Sequence, residues 1–406
     1  MFKKKNNDKS KIKPKGANLK PERYKKNKFK FRNIKIIGIK SGIDLPFMLL
    51  VLLLVAIGLV MMFSASYPNA FYLHHGDSFF FIRNQVIYAI IGILAMFGMS
   101  RFDYRNLKIL SVPILILSFI FLLIVLAMPP INGVRRWMQL GPIGFQPSEI
   151  TKFSIILSFA TIIDKNFEKM GTFRYGILPF LMIFIPAASL LALEPHISCT
   201  VIVILLAAIM LFIGGIKLRW FAYVLTPILA FLSYLVLFTN KLTYANSRIA
   251  GWLNPFDKSS GVDTWQTRQG LYAIGSGGIF GLGLGNSRQK YLFLPEPYND
   301  FIFAVVCEEL GFIGAVFILI LFATLIWRGI VISIRAKDRF GTLLGLGITM
   351  QVGIQIILNI AVVSNTIPNT GISLPFFSYG GTSLLMLLAQ MGIILAISRR
   401  SNLEKS

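Results

Sequence analysis

The sequence predicts an all-α polytopic membrane protein of about ten transmembrane helices, with both termini cytoplasmic and a large extracytoplasmic loop between helices 7 and 8. Three observations lead there. Only 14% of the 406 residues are charged and 55% are hydrophobic, about half the charge of a soluble domain. The apolar stretches run uninterrupted for the roughly 20 residues that cross a hydrocarbon core, whereas barrel strands alternate over about ten. Basic residues recur in every second connection, the pattern that fixes orientation in a membrane.

Taken in order, the predicted spans are 45–66, 83–100, 109–128, 149–163, 174–193, 197–216, 219–238, 301–327, 342–364 and 381–398. The fourth is short and polar. Residues 1–43 form a basic tail, predicted to be disordered. Within 1–40 stand 16 of the 41 Lys and Arg, against only Asp8 and Glu22. Such a block beside a first helix reads as a cytoplasmic anchor attracted to anionic lipid rather than as a nucleic-acid arm. With the tail inside, the connections at 101–108, 164–174, 217–219 and 328–339 and the chain end each carry at least two Lys or Arg. The 44–400 region is then the transmembrane domain, and the 239–300 connection, about 60 residues long, lies outside. Arg135 and Arg136, in the predicted outer loop 129–148, run against the positive-inside rule. Cys199 and Cys307 sit in apolar runs without metal-ligand neighbours and define no disulfide framework. No cleavable signal is expected, because the first apolar run starts late and is long enough to span. No inverted repeat of the transporter kind is evident.

Chemistry concentrates in four places. The segment 264–311 combines Thr264-Trp265-Gln266-Thr267-Arg268-Gln269-Gly270 with Pro295-Glu296-Pro297-Tyr298-Asn299-Asp300-Phe301 and Glu308-Glu309-Leu310-Gly311. Asp300 opens a long apolar helix, where a carboxylate serves either as a cap for orphan N–H groups or as a reactive acid. Glu308 and Glu309 near bilayer depth are costly, and acids there face a cavity or a partner; a groove lined by Ala304, Cys307, Glu308, Gly311 and Ala315 is expected. The second place is Asn132-Gly133-Val134-Arg135-Arg136-Trp137 with Gln146-Pro147-Ser148-Glu149-Ile150-Thr151-Lys152. Glu149 and Lys152 share a helix face and either staple each other as an internal pair, or Lys152 joins Arg136 in offering fixed cations to a phosphate. The third is glycine-dense, Gly275 to Gly278 and Gly281 to Gly285. It lacks the strand–helix context of a nucleotide loop and reads as tight packing or a re-entrant segment. The fourth is Ser373-Leu374-Pro375-Phe376-Phe377-Ser378-Tyr379-Gly380-Gly381, before the last helix, either packing the loops or lining the same groove. His196, in the turn Glu194-Pro195-His196, reads as structural.

Together the motifs Asn-Gly-x-x-Arg-Trp…Gln-Pro-Ser-Glu…Lys at 132–152, Pro-Glu-Pro-x-x-Asp-Phe-Ile-Phe-Ala…Glu-Glu-Leu-Gly at 295–311 and Leu-Pro-Phe-x-Ser-Tyr-Gly-Gly at 374–381 resemble the SEDS family of bacterial shape, elongation, division and sporulation proteins. The likeness covers about 45–400 and is greatest to the FtsW/SpoVE branch, through Tyr272 to Gly278, Gly283 to Gly285 and Gln289-Lys290. His196 stands where the family often carries Asp, so no role passes to that position. The resemblance implies a peptidoglycan glycosyltransferase of the bacterial cytoplasmic membrane. Its substrate would be lipid II, and its partners a class B penicillin-binding protein and other divisome or sporulation proteins, with no nucleic acid. It implies Asp300 as the catalytic residue, with Arg136 and Lys152 in the same cavity. Glu149, Glu296, Glu308 and Ser378 complete the expected substrate-binding set. No cofactor is implied, and a requirement for magnesium or manganese stays open. A flippase and a non-catalytic scaffold are the rival readings; charged motifs confined to one predicted face favour surface chemistry.

Overall fold

The computed structural model describes residues 42–130, 135–140, 143–194, 197–217, 219–220, 251–256 and 264–401. Outside them lie nearly all of the predicted tail and of the 219–238 span, most of 239–263, and Asn132, Gly133, Val134, Pro195 and His196. The described chain is a helical bundle. Its elements are α1 (Leu45–Leu73), α2 (Phe80–Arg101), α3 (Leu107–Ala127), β1 (Met138–Leu140), β2 (Ile143–Phe145), α4 (Pro147–Asn166), α5 (Phe173–Gly176), α6 (Leu178–Leu193), α7 (Ile197–Ile213), α8 (Trp265–Ser276), α9 (Ile302–Ile334), α10 (Arg339–Val363) and α11 (Gly381–Ser398). Seven helical stretches among the described residues are long and apolar enough to cross a membrane: α1, α2, α3 with its preceding turn, α5 with α6, α9, α10 and α11.

Burial separates centre from periphery. Of their apolar windows, 72% is buried in α10 and α11, against 22–39% in α1, α2, α3, α9 and the α5–α6 stretch. α4 is almost wholly enclosed, packed on α3, α6, α7 and α10. Its polarity suits that place, since Thr151, Ser154 and Thr161 return their hydroxyls to carbonyls one turn back and none need meet lipid. α1 runs seven residues past its predicted end at 66, through Pro68, because Ser64, Ser66 and Asn69 are buried by neighbouring elements instead of reaching solvent.

One end of the bundle is tied by ion pairs between helix termini. Asp44 caps α1 by accepting from the Phe47 amide and also pairs with Arg328 of α9 at 2.8 Å. Arg105 meets Asp338, the N-cap of α10, at 2.9 Å, and Arg400 meets Asp103 at 2.7 Å. Lys108 pairs with Asp164 across α3 and α4.

The other end is irregular. The hairpin β1–β2, registered Met138 to Phe145 and Leu140 to Ile143, was not expected in an all-α chain, nor was α8 inside the long loop. α9 is broken at Gly311, whose φ of 67° and ψ of −170° interrupt the helix. A break leaves amides and carbonyls without helical partners, which is costly in lipid. The segment after α8 supplies them: Phe312 N donates to Gly278 O, Ile313 N to Ile279 O, and the amides of Leu282 and Gly283 donate to Glu308 O and Glu309 O. Only glycine permits this approach, because a Cβ on Gly281 would lie 2.2 Å from Glu309 O, and one on Gly311 2.2 Å from Gly281 N.

Glu308 and Glu309 complete that seam and do not open on a groove. Glu308 accepts from the Ser287 hydroxyl and, at 2.9 Å, from the Arg288 amide. Glu309 accepts from the Ser64 hydroxyl at 2.7 Å and pairs with Lys290 at 2.8 Å, both charges being fully buried. The expected groove is therefore filled at Cys307 and Glu308, by Gly277 at the end of α8 and by the segment that follows it. Removing one partner of such a buried pair leaves an uncompensated charge and costs about 3–5 kcal/mol. Lys290→Met is expected to lower the thermal unfolding temperature of the detergent-purified protein sharply. The double variant Lys290→Met/Glu309→Leu should recover most of the loss; equal losses in both would show that the pair carries no such weight.

Candidate active site

Between α2, α4, α7, α10, α11 and the loops at the irregular end lies a cavity of about 500 Å³. α4 begins at Pro147, whose ring suits a first turn, and its first two turns project Glu149 and Lys152 into this space. The two are paired, Lys152 Nζ to Glu149 Oε1 at 2.9 Å, and almost inaccessible. The pair is thus internal, as the first alternative has it, and it also lines the cavity.

The two arginines of the preceding loop separate. Arg135 is exposed and donates to Leu126 O, closing the C-terminal end of α3. Arg136 lines the cavity and reaches Glu194 O at 3.4 Å. Glu194, at the end of α6, is fully buried and neither carboxylate oxygen has a hydrogen-bond partner among the described residues. Burial pushes its pKa up to about 8, with Arg136 opposing, so the side chain is protonated at neutral pH.

Asp300 comes from the loop 294–301. It does not cap the following helix: the N-cap position of α9 belongs to Phe301, without a side-chain bond. Its carboxylate lies over Gly371, where a Cβ would stand 2.8 Å from Asp300 Oδ2 and where φ is +71°. The loop is fixed by its backbone. Asn359 of α10 donates to Asp300 O at 2.8 Å and to Ile372 O at 2.6 Å. Ser378 Oγ donates to Asn299 O at 2.7 Å while accepting from the Leu374 amide, and Tyr379 N donates to Tyr298 O. Gln85 of α2 donates to Ser378 O and accepts from Gly380 N. Burial raises the Asp300 pKa to about 6, the Glu296 carboxylate adds to the rise, and Arg136 opposes it. Glu296 is exposed at the rim, in the left-handed region at φ 46°, and accepts from Asn299 Nδ2 at 2.9 Å.

Arg136, Glu149, Lys152, Glu296, Asp300 and Ser378 therefore line one cavity. Glu308 does not belong to it, for the reason given by its partners above. The Ser378 hydroxyl is engaged with loop backbone, which fits it to holding the loops. Two groups in the wall were given no role from the sequence. Phe81, Tyr298 and Tyr379 form an aromatic cluster with centroids 4.5–6.0 Å apart. Gln351 and Gln355 line the wall on α10, one turn apart, and Gln351 Oε1 has no hydrogen-bond partner among the described residues. With Asn359 they repeat every four residues, a polar stripe legible in an apolar helix. Among the described residues no three His, Cys, Asp or Glu side chains gather as a metal-binding set.

Known proteins resemble this chain along nearly its whole length. Stage V sporulation protein E of Bacillus subtilis is 39% identical over 366 residues, 89% of this chain and 98% of the relative. A protein of Trichlorobacter lovleyi named "Probable peptidoglycan glycosyltransferase FtsW" is 38% identical over 359 residues, 87% and 93% of the two chains. In solved structures, a chain described under structural coordination of polymerization and crosslinking by a peptidoglycan synthase complex superposes with a TM-score of 0.73 at 26% identity, covering 89% of this chain and 99% of that one. The rod shape determining protein RodA of Thermus thermophilus gives 0.64 at 26%, with the same coverage. The greater identity to the sporulation and FtsW proteins agrees with the branch expected from the motifs. A model of cell cycle proteins spans residues 44–403, and the chain, a multi-pass membrane protein, belongs to that FtsW/RodA/SpoVE family.

Proposed function

We propose that the protein is a peptidoglycan glycosyltransferase that polymerises lipid II at the outer face of the bacterial cytoplasmic membrane. The observation that carries this reading is the Asp300 carboxylate, uncapped and held over Gly371 in a cavity that also contains Arg136 and the Glu149–Lys152 pair. The names of the FtsW relatives support it.

In this reading the 4-hydroxyl of the N-acetylglucosamine of one lipid II attacks the anomeric carbon of a second. Asp300 takes the hydroxyl proton as the new C–O bond forms, and the bond to the polyprenyl pyrophosphate breaks in the same displacement, inverting the anomeric centre. A positioned base of this kind contributes about 10²–10⁴ in rate. The departing pyrophosphate keeps its electron pair, and Arg136 and Lys152 stabilise the charge. Magnesium or manganese would assist at the same oxygens, and polymerisation with and without a chelator reads that requirement directly. A class B penicillin-binding protein is the proposed partner, in keeping with the synthase complex among the structural neighbours. A flippase would need the cavity to continue through the bundle. Below Gln351 the α4–α10 contact closes on apolar groups, so tightly that a Cβ on Gly347 would come within 2.5 Å of Ile156, which favours chemistry at one face.

The decisive experiment is polymerisation of labelled lipid II by the purified protein with its cognate class B partner. Asp300→Asn, folded as judged by its elution and unfolding profile, is expected to lose about 10²–10⁴ in rate; unchanged glycan synthesis would remove Asp300 from the mechanism. Because Asp300 works ionised, kcat/KM should rise with pH through about 6 and level off above it. Glu296→Gln removes a raising influence and should move that limb to lower pH, whereas Arg136→Gln should move it to higher pH; shifts in the same direction would contradict the electrostatic assignment. Gly371→Ala pushes on the carboxylate itself. It is expected to cost about 10²-fold, as small misplacements of reacting groups do, while lipid II binding measured by thermal shift survives.

A further inference from the structure

The segment 277–294 is built inside out relative to a loop in water. Two of its polar side chains point inward: Ser287 is 1% and Lys290 2% exposed, locked onto Glu308 and Glu309. Its apolar ones point outward, with Phe280 82% exposed and Ile279, Leu284, Leu292 and Phe293 all more than half exposed. Water would oppose both choices.

The backbone has the same character. The amides of Gly281, Leu282, Gly283, Asn286, Tyr291, Leu292 and Leu294 all donate to carbonyls of this segment or of α9. Those of Ser287, Arg288, Gln289 and Lys290 donate to Glu308, Glu309 or the Ser287 hydroxyl. A solvated loop leaves many such groups to water; irregular backbone in lipid must satisfy them internally.

Depth agrees. Arg328 and Asp44 pair at one end of the bundle. From Arg328 to Gly311 the helix rises about 26 Å at about 1.5 Å per residue, against a hydrocarbon core of about 30 Å. From Asp44 to Ser64, which bonds Glu309, α1 rises about 30 Å on the same count. Tilt only lowers these heights. The seam between the segment and α9 therefore falls within the bilayer or at its far boundary.

We infer that residues 277–294 are immersed in the lipid of the leaflet on the candidate-site side, with Ile279, Phe280 and Leu284 among the acyl chains. The occupant of this face is lipid because the patch continues directly into the exposed stripe Phe312, Ile313, Phe317 and Ile320 of α9, a membrane-spanning helix. Exposed Asn286 and Arg288 mark the headgroup side, the arginine reaching phosphates while its stem stays apolar. The chain passes from this anchor through buried Leu294 to Asp300 within six residues. The anchor thereby sets the height of Asp300 relative to the headgroups. The immersion itself does not depend on the proposed activity.

The test uses the full-length protein alone in lipid nanodiscs. Phe280→Cys and Leu284→Cys each carry a nitroxide, with Cys199 and Cys307 left in place because both are buried. Collision with oxygen should exceed collision with a water-soluble nickel chelate severalfold at both sites, matching a label at Ile320→Cys. A label at His75→Cys, in an exposed turn, should show the reverse. Chelate access at Phe280→Cys and Leu284→Cys equal to that at His75→Cys would overturn the inference. Shielding from both reagents, the signature of a protein-covered face, would overturn it equally.

Discussion

The rest of the structure depends on the requirement that every polar group within the membrane find its partner inside the protein. The break of α9 at Gly311 shows the constraint most directly. It frees two carbonyls and two amides, and a neighbouring segment returns all four bonds. That segment can approach only through Gly281 and Gly311, and it brings Ser287 and Lys290 to the two acids beside the break. A pair of glutamates that would be prohibitive on a plain helix thereby becomes the seam that fixes the chain leading to Asp300.

The same requirement shapes the cavity. α10 carries Gln351, Gln355 and Asn359 one turn apart, and Asn359 spends both protons of its amide on Asp300 O and Ile372 O. This single side chain joins the loop before α9 to the loop after α10. Ser378 and Gln85 add cross-links to the same loops from α2 and the segment before α11. The acid at the centre is held by its backbone, leaving the carboxylate itself over Gly371.

Much of this was legible in the sequence, and the reasons for the rest are physical. The helices follow from apolar runs, because lipid leaves few other solutions, and their limits moved where burial replaced hydropathy, as in α1 beyond residue 66. Six of the seven expected site residues, Asp300 and Arg136 among them, line one cavity, since charges in so apolar a chain have few places to go. Glu308 misled because its neighbours in sequence are fatty, and its true partners arrive from a fold-back some 20 residues earlier. Gln351 and Gln355 escaped because a scan for apolar runs averages isolated amides away, although their four-residue spacing was visible. The hairpin β1–β2 is too short to announce itself by alternation.

The cavity's charges show how an acid can stay reactive at this depth. Lys152 is compensated by Glu149, and Glu194 is neutral at pH 7 because burial holds it near 8. That leaves Arg136 opposing, and Glu296 reinforcing, the rise that burial imposes on Asp300. Were Arg136 and Glu296 both absent, burial alone would govern the group; with them, a loop on each side of the cavity adjusts the proton affinity that burial sets. A base of pKa about 6 is ionised at neutral pH yet basic enough to take a proton as the attacking oxygen becomes acidic. Burial gives Asp300 most of its rise, and Glu296 and Arg136, which line the same cavity, adjust it, so the fold that secures the loops also tunes the acid they carry.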